Sequence, residues 1–187
     1  MTTTARAPAG PSLHPTRTLL LDAGLRLAAR TGLSQMSVEA VTAEAGVAKG
    51  TYYVHFRDRG DFLLHLYRQW HAGVMDALRA AVAGREPGFD RLSAATTAYL
   101  DALLADRSAK AILVAARSEP SLVEEVDRAT TDSAVSAVSD FAALGHPFPA
   151  ASARLFVAMT VEAAVAELEG GHDGAIRSTL ARFARGR

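Results

Sequence analysis

Residues 37–56, SVEAVTAEAGVAKGTYYVHF, restrict the fold more than any other part of the chain. Ser37 is a favourable N-cap, and Val38, Val41 and Ala45 follow at helical spacing, so a short helix is expected over 37–45. Gly46 then stands where a helix ends in the left-handed conformation, which glycine adopts without a Cβ penalty. Val47 returns to the core, and a second helix is expected over 48–56. Two helices crossed steeply around a glycine turn form a helix-turn-helix, whose second helix can lie in a DNA major groove. The plainer alternative is a hairpin inside an all-α core. Such a hairpin has no need of Lys49, Thr51, Tyr53 and His55 on its second helix, where they present polar tips suited to phosphates and base edges.

The flanking sequence reads as helices only. Residues 1–15 hold three prolines, one glycine and a single cation, Arg6, with no apolar period, and are expected to be a disordered arm. A first helix is expected over 16–31, capped by Thr16 and stopped by Gly32, with Leu20, Ala23 and Leu27 on one face. Gly24 inside it costs about 1 kcal/mol relative to alanine, which suggests a close helix crossing. After the polar turn 57–60, a long amphipathic helix is expected over 61–83, with Phe62, Leu66, Trp70, Val74 and Leu78 recurring every four residues. Further helices are expected over 90–104, 108–117, 121–144, 149–169 and 173–184. The helix over 121–144 should point Val123, Val126, Ala134, Val138 and Phe141 inward, with Glu124, Glu125 and Asp127 a solvated start favoured by the helix dipole. The architecture is therefore all-α, about nine helices in two parts. A three-helix DNA-binding domain over 16–66, its next helix continuing to about 83, precedes a helical bundle over 67–187.

Composition bears on partners and compartment. There are no cysteines, which excludes disulfides and thiolate metal sites. The formal net charge is zero, yet residues 1–60 carry seven Lys and Arg against four Asp and Glu, so a basic end sits on an acidic body. No apolar run reaches the roughly 18 residues of a membrane span, and no secretory leader is evident. A cytoplasmic protein is expected. His65 and His71 lie about 240° apart around a helix and cannot share a metal. Neither a zinc-protease motif, a phosphate loop nor a nucleophile elbow is present, so no cofactor, metal or enzymatic role is expected.

Over 16–66 the chain resembles the tetracycline-repressor (TetR) family of bacterial regulators. The resemblance rests on LLDAGLRLAARTGL at 20–33, the 37–56 stretch, RDRGDFLLHL after it, and above all GVAKGTYYVHF at 46–56. Four positions depart from the family pattern. Ala48 replaces a frequent serine cap, Val54 a common aromatic, Thr42 a usual alanine and Ala28 a frequent phenylalanine.

The resemblance implies a transcriptional regulator, most often a repressor, that binds a palindromic operator in double-stranded DNA as a homodimer. Lys49 would meet a phosphate or guanine edge, the Gly50 and Thr51 N–H groups phosphate oxygens, and Tyr53 and His55 phosphate or bases. Ser37 begins a second helix N-terminus, and Arg17, Arg57 and Arg59 flank the module. It also implies a pocket for a small apolar effector, with Trp70, Tyr99, Phe156 and Met159 as candidate lining. The dimer surface would use Ala153, Val157, Val161, Ala164 and Leu168 of one helix with Ile176, Leu180 and Phe183 of the last. Two alternatives stand beside this reading: a ligand-independent DNA-binding factor, and an all-α enzyme or scaffold whose helix-turn-helix is incidental.

Overall fold

The computed structural model describes residues 15–33 and 36–186, and among these it is helical with no strand. The expected arm, with Arg6, falls on 1–14 and so outside the described residues, except Pro15. Among the described residues nine α-helices follow one another: α1 (Pro15–Thr31), α2 (Val38–Ala45), α3 (Lys49–His55), α4 (Arg59–Val82), α5 (Phe89–Ala105), α6 (Ala109–Ser118), α7 (Val123–Ala143), α8 (Pro149–Gly170) and α9 (Gly174–Arg185). A single 3-10 turn, Pro120–Leu122, leads into α7.

Local chemistry sets the boundaries. The Ser37 hydroxyl accepts the Ala40 N–H at 3.1 Å and starts α2, and Gly46 at φ 70° ends it, its N–H bonding the Ala43 carbonyl while Val47 bonds that of Thr42. Two of the starts that differ from expectation have a plain local cause. α1 begins at Pro15 rather than being capped by Thr16, since proline needs no N–H partner in a first turn. α4 begins at Arg59 because the Asp58 carboxylate accepts the Asp61 N–H at 2.8 Å, which draws Arg59 out of the turn and into a helix.

A contiguous apolar core runs from Leu20 in α1 through Phe62 and Leu66 in α4, Leu100 in α5 and Phe156 in α8 to Leu180 in α9. α4 serves both ends, crossing α1 closely at Gly24, where a Cβ would lie 2.7 Å from Phe62 Cζ and 3.0 Å from Leu66 Cδ1. It packs along α5, as α7 packs along α8. The acidic start of α7 is not wholly solvated: Glu125 is buried, 2.8 Å from Arg68 of α4 and paired with Arg128, while Val123 points outward. Ala134 and Phe141 are buried as expected, and Val126 and Val138 pack half-buried against the core. At the far end Arg177 of α9 grips the buried Glu167 of α8 at 2.7 and 2.8 Å and Asp101 of α5 at 2.6 Å.

Candidate nucleic-acid interface

α3 stands on two buried aromatic rings. Tyr52 and Phe56 are each 1% exposed, and their centroids and that of Phe62 lie 5.0 to 5.4 Å apart. The Tyr52 hydroxyl donates to the Asp58 carbonyl at 3.3 Å, and burial pushes its pKa well above the usual phenol value. With that face anchored, Lys49 and Gly50 face solvent, Tyr53 is 54% exposed and Val54 78%. Thr51 and His55 are half-buried. The exposed face thus mixes a cation, a phenol and a bare aliphatic side chain, groups that respectively suit phosphate, phosphate or base edge, and a thymine methyl.

The interface has its own electrostatic brake. Lys49 pairs with Glu39 in the first turn of α2, so the carboxyl is held below the usual carboxylate range by that hydrogen bond. No side chain caps α3 at Ala48, leaving its first N–H groups exposed. Ser37 is exposed with its hydroxyl already engaged as a cap. Arg17 lies half-buried with its guanidinium 5.4 Å from the Phe56 ring centroid, and Arg57 is open to solvent beside Asp61 at 3.6 Å. The inner side of the module is clamped by Glu44, which takes Arg26 at 2.8 Å and Arg30 at 2.5 Å from α1; those hydrogen bonds, Arg30's first, lower its pKa to about 2.

Arg59 is the correction to this set. Its guanidinium donates to the Leu33 carbonyl at 2.9 Å and the Met36 carbonyl at 3.4 Å, both in the α1–α2 connection, and holds Glu119 at 3.0 and 3.2 Å. Glu119 ends α6, and beside it a Cβ on Gly60 would meet Ser121 at 3.2 Å. Arg59 therefore fastens the helix-turn-helix to the body with four of its five N–H donors.

Between α4, α5, α6, α7 and α8 lies a cavity of about 370 Å³. Trp70, Tyr99 and Phe156 line it, whereas Met159 is half-buried against the core with the cavity-lining positions of α8 on either side of it. Met159 is thus withdrawn from the lining. The Trp70 indole N–H donates to Asp106 at 2.7 Å, so only its apolar ring serves the cavity. Tyr67 and His71 also line it, stacked with centroids 5.6 Å apart. Tyr67 and His71 lie one turn apart on α4, a spacing that core packing produces equally, so periodicity gave no separate sign of them. Arg117 of α6 and Glu162 of α8, paired with each other and half or more exposed, stand at its edge.

Of the side chains named for a dimer surface, Ala153, Ala164 and Leu180 are closed inside the chain's own core and present nothing to a second copy. Small residues there let helices of the same chain approach, so their pattern gave the wrong face. Val157, Val161, Leu168 and Ile176 are half-buried, the first two at the cavity wall, and Phe183 is exposed. Leu155 and Phe148, which the periodic pattern passed over, are among the most exposed large apolar side chains. Among the described residues there is no group of three metal-ligating side chains, and no helix is long and apolar enough to cross a membrane.

Comparison with known proteins agrees with the geometry. Residues 20–66 match the family model described as bacterial regulatory proteins, tetR family. The "Fatty acid metabolism regulator protein" of Bacillus subtilis is 22% identical over 89 residues, 48% of this chain and 46% of that protein. An uncharacterized HTH-type transcriptional regulator of the same organism is 44% identical over 46 residues, 25% of this chain and 21% of its own length. The chain therefore matches under half the length of either curated relative. A putative TetR-family transcriptional regulator from Rhodococcus sp. superposes with a TM-score of 0.79 at 17% identity, covering 91% of this chain and 97% of that one. The relatives and the solved structure named here are all described as regulators. By its helix-turn-helix module the chain is similar to the tetR family of bacterial regulatory proteins, and its fold is the one seen in that Rhodococcus structure.

Proposed function

We propose that the protein is a cytoplasmic homodimeric repressor that binds a palindromic operator through α3 and is released by a small molecule entering the cavity of the helical body. The observation that carries the DNA reading is the outward face of α3, where Lys49, Gly50, Tyr53 and Val54 stand exposed on a base of buried Tyr52 and Phe56. One such helix covers only a few base pairs. Two copies about a two-fold axis would read half-sites about 34–36 Å apart, or a multiple of that spacing. The cavity favours effector control over a ligand-independent factor, since a cavity of this size among apolar side chains costs core packing that a constitutive DNA-binding module would keep.

The coupling path is short. Leu113, Ala116 and Arg117 of α6 line the cavity, and α6 ends at Glu119, which holds Arg59 and through it the α1–α2 connection. An effector that shifts α6 would move that connection and with it the spacing of two recognition helices. The test is selection from random double-stranded oligonucleotides followed by gel shift. A palindrome is the expected winner, with Lys49→Ala weakening it and lowering the salt slope by about one. Absence of any sequence preference would sink the regulator reading.

A further inference from the structure

The polar groups of the cavity are of two kinds. Thr96, Ser133 and Thr160 spend their hydroxyls on carbonyls one turn back in their own helices, at 2.8 to 2.9 Å. The hydroxyls of Tyr67, Tyr99 and Thr130 and the ring nitrogens of His71 differ: among the described residues none of them has a hydrogen-bond partner. Among the described residues the one fully enclosed side-chain polar atom left without a partner is Gln69 Oε1, so the Tyr67 and Tyr99 hydroxyls open onto the cavity. Tyr67, Tyr99 and His71 sit on α4 and α5, facing a wall of α7 and α8 built by Ala129, Ala137 and Phe156, in which Thr130 offers a single unengaged hydroxyl. The charges nearest that end, Glu125, Arg128 and Asp132 of α7, stand outside the lining, with Arg128 already paired to Glu125 and Asp132. The only cationic side chain of the lining other than His71 is Arg117, and it is already neutralised by Glu162. Burial lowers the pKa of His71, which keeps the ring neutral near pH 7, with one N–H to give and one lone pair to accept.

We propose that this cavity takes an uncharged molecule with a single hydrogen-bonding head, held by the Tyr67 and Tyr99 hydroxyls and His71, and an apolar remainder lying against α7 and α8. This rests on the reading of the cavity as the effector site. A carboxylate head is disfavoured, since an ion taken from water into such a site needs a partner charge and finds none. A free fatty acid would therefore be a poor ligand here, despite the name of the Bacillus subtilis relative. A ketone, ester or alcohol of the same length meets the site's donors without that cost.

The chain has one tryptophan, Trp70, and it lines the cavity, so its fluorescence reports occupancy, with titration calorimetry as a second readout. The probes are 2-decanone and decanoate, equal in carbon number and different in charge, titrated at neutral pH against the full chain. The ketone should bind saturably and at least about tenfold more tightly than the acid. Tyr99→Phe and Tyr67→Phe, which remove one oxygen each and should leave helicity and melting unchanged, should each weaken the ketone about three- to tenfold. Decanoate binding as tightly as the ketone, no saturable binding of the ketone, or indifference of both tyrosine variants would each overturn the assignment. Operator release is measured separately. A ketone that binds in this way and leaves operator affinity untouched would sink the effector reading while the assignment of the head group stands.

Discussion

Two residues that look alike in the sequence, Lys49 and Arg59, do different work because of what lies within reach of each. Lys49 has a single exposed partner, Glu39, from which it can swing to a phosphate at little cost. Arg59 has two backbone carbonyls and a carboxylate around a planar fork, an arrangement that a lysine could not reproduce. Arg59→Ala should cost about 1–3 kcal/mol in urea unfolding, because carbonyls and a carboxylate lose their donor. The salt slope of DNA binding should stay as it was, since no phosphate contact is lost. A slope reduced by about one would return Arg59 to the interface. Glu39→Gln is the complementary change. It frees Lys49 and removes a negative charge from the DNA face, so affinity should rise several-fold at low salt, measured by gel shift, and a fall would mean that Glu39 itself reads a base.

At the scale of elements, two substitutions with opposite signs test how α1 and α3 are held. Gly24→Ala gains about 1 kcal/mol of helix propensity, but its methyl would sit 2.7 Å from the ring of Phe62, which is itself buried. Overpacking of this kind typically costs about 1–3 kcal/mol, so the variant should be no more stable than the parent and most plainly less so in a thermal melt. Ala48→Ser supplies the cap that α3 lacks and should add about 0.5–2 kcal/mol to stability. Helices were legible wherever the signal was local: Ser37 and Gly46 bound α2, and the four-residue recurrence from Phe62 to Val74 is buried in α4. The misreadings share a cause, which is a partner distant in sequence. Arg59 meets Glu119, Glu125 meets Arg68, and Ala153 and Ala164 face helices of their own chain. Periodicity measures which face is apolar and is silent about which charge another helix brings to it, and a cavity leaves no trace in it at all.

For the whole molecule, the proposed second copy has to use what the fold leaves open. Leu155 and Phe183 are exposed on α8 and α9, the same pair that Arg177 and Glu167 lock together. Aspartate at either position should shift sedimentation toward a monomer and weaken operator binding with little effect on the helical signal, whereas Ala164→Asp should unfold the chain by putting a charge in its core. The same lock governs the response to acid. Glu167 is held below the ordinary carboxylate range, chiefly by its hydrogen bond to Arg177, and Glu125 likewise by Arg68. A carboxyl whose pKa falls on folding contributes stability that is complete above its unfolded value of about 4.3 and is lost as the pH drops toward the folded one. His71 is also lowered, chiefly by burial, with Glu125 and Asp132 opposing and Arg128 reinforcing the shift. Its contribution has the same sign and goes first, beginning below about 6.5, because the fold favours the neutral ring. Acid destabilisation should therefore come in two stages, a shallow one below about 6.5 and a steeper one below about 4.3, read as the urea midpoint at each pH. His71→Gln should abolish the shallow stage, and Glu167→Gln should blunt the steep one at the cost of lower stability near neutrality, because Arg177 then keeps only the exposed Asp101 as its counter-charge. A midpoint that stays level in the parent from neutral pH down to about 5 would show that His71 is no more shielded in the folded chain than in the unfolded one.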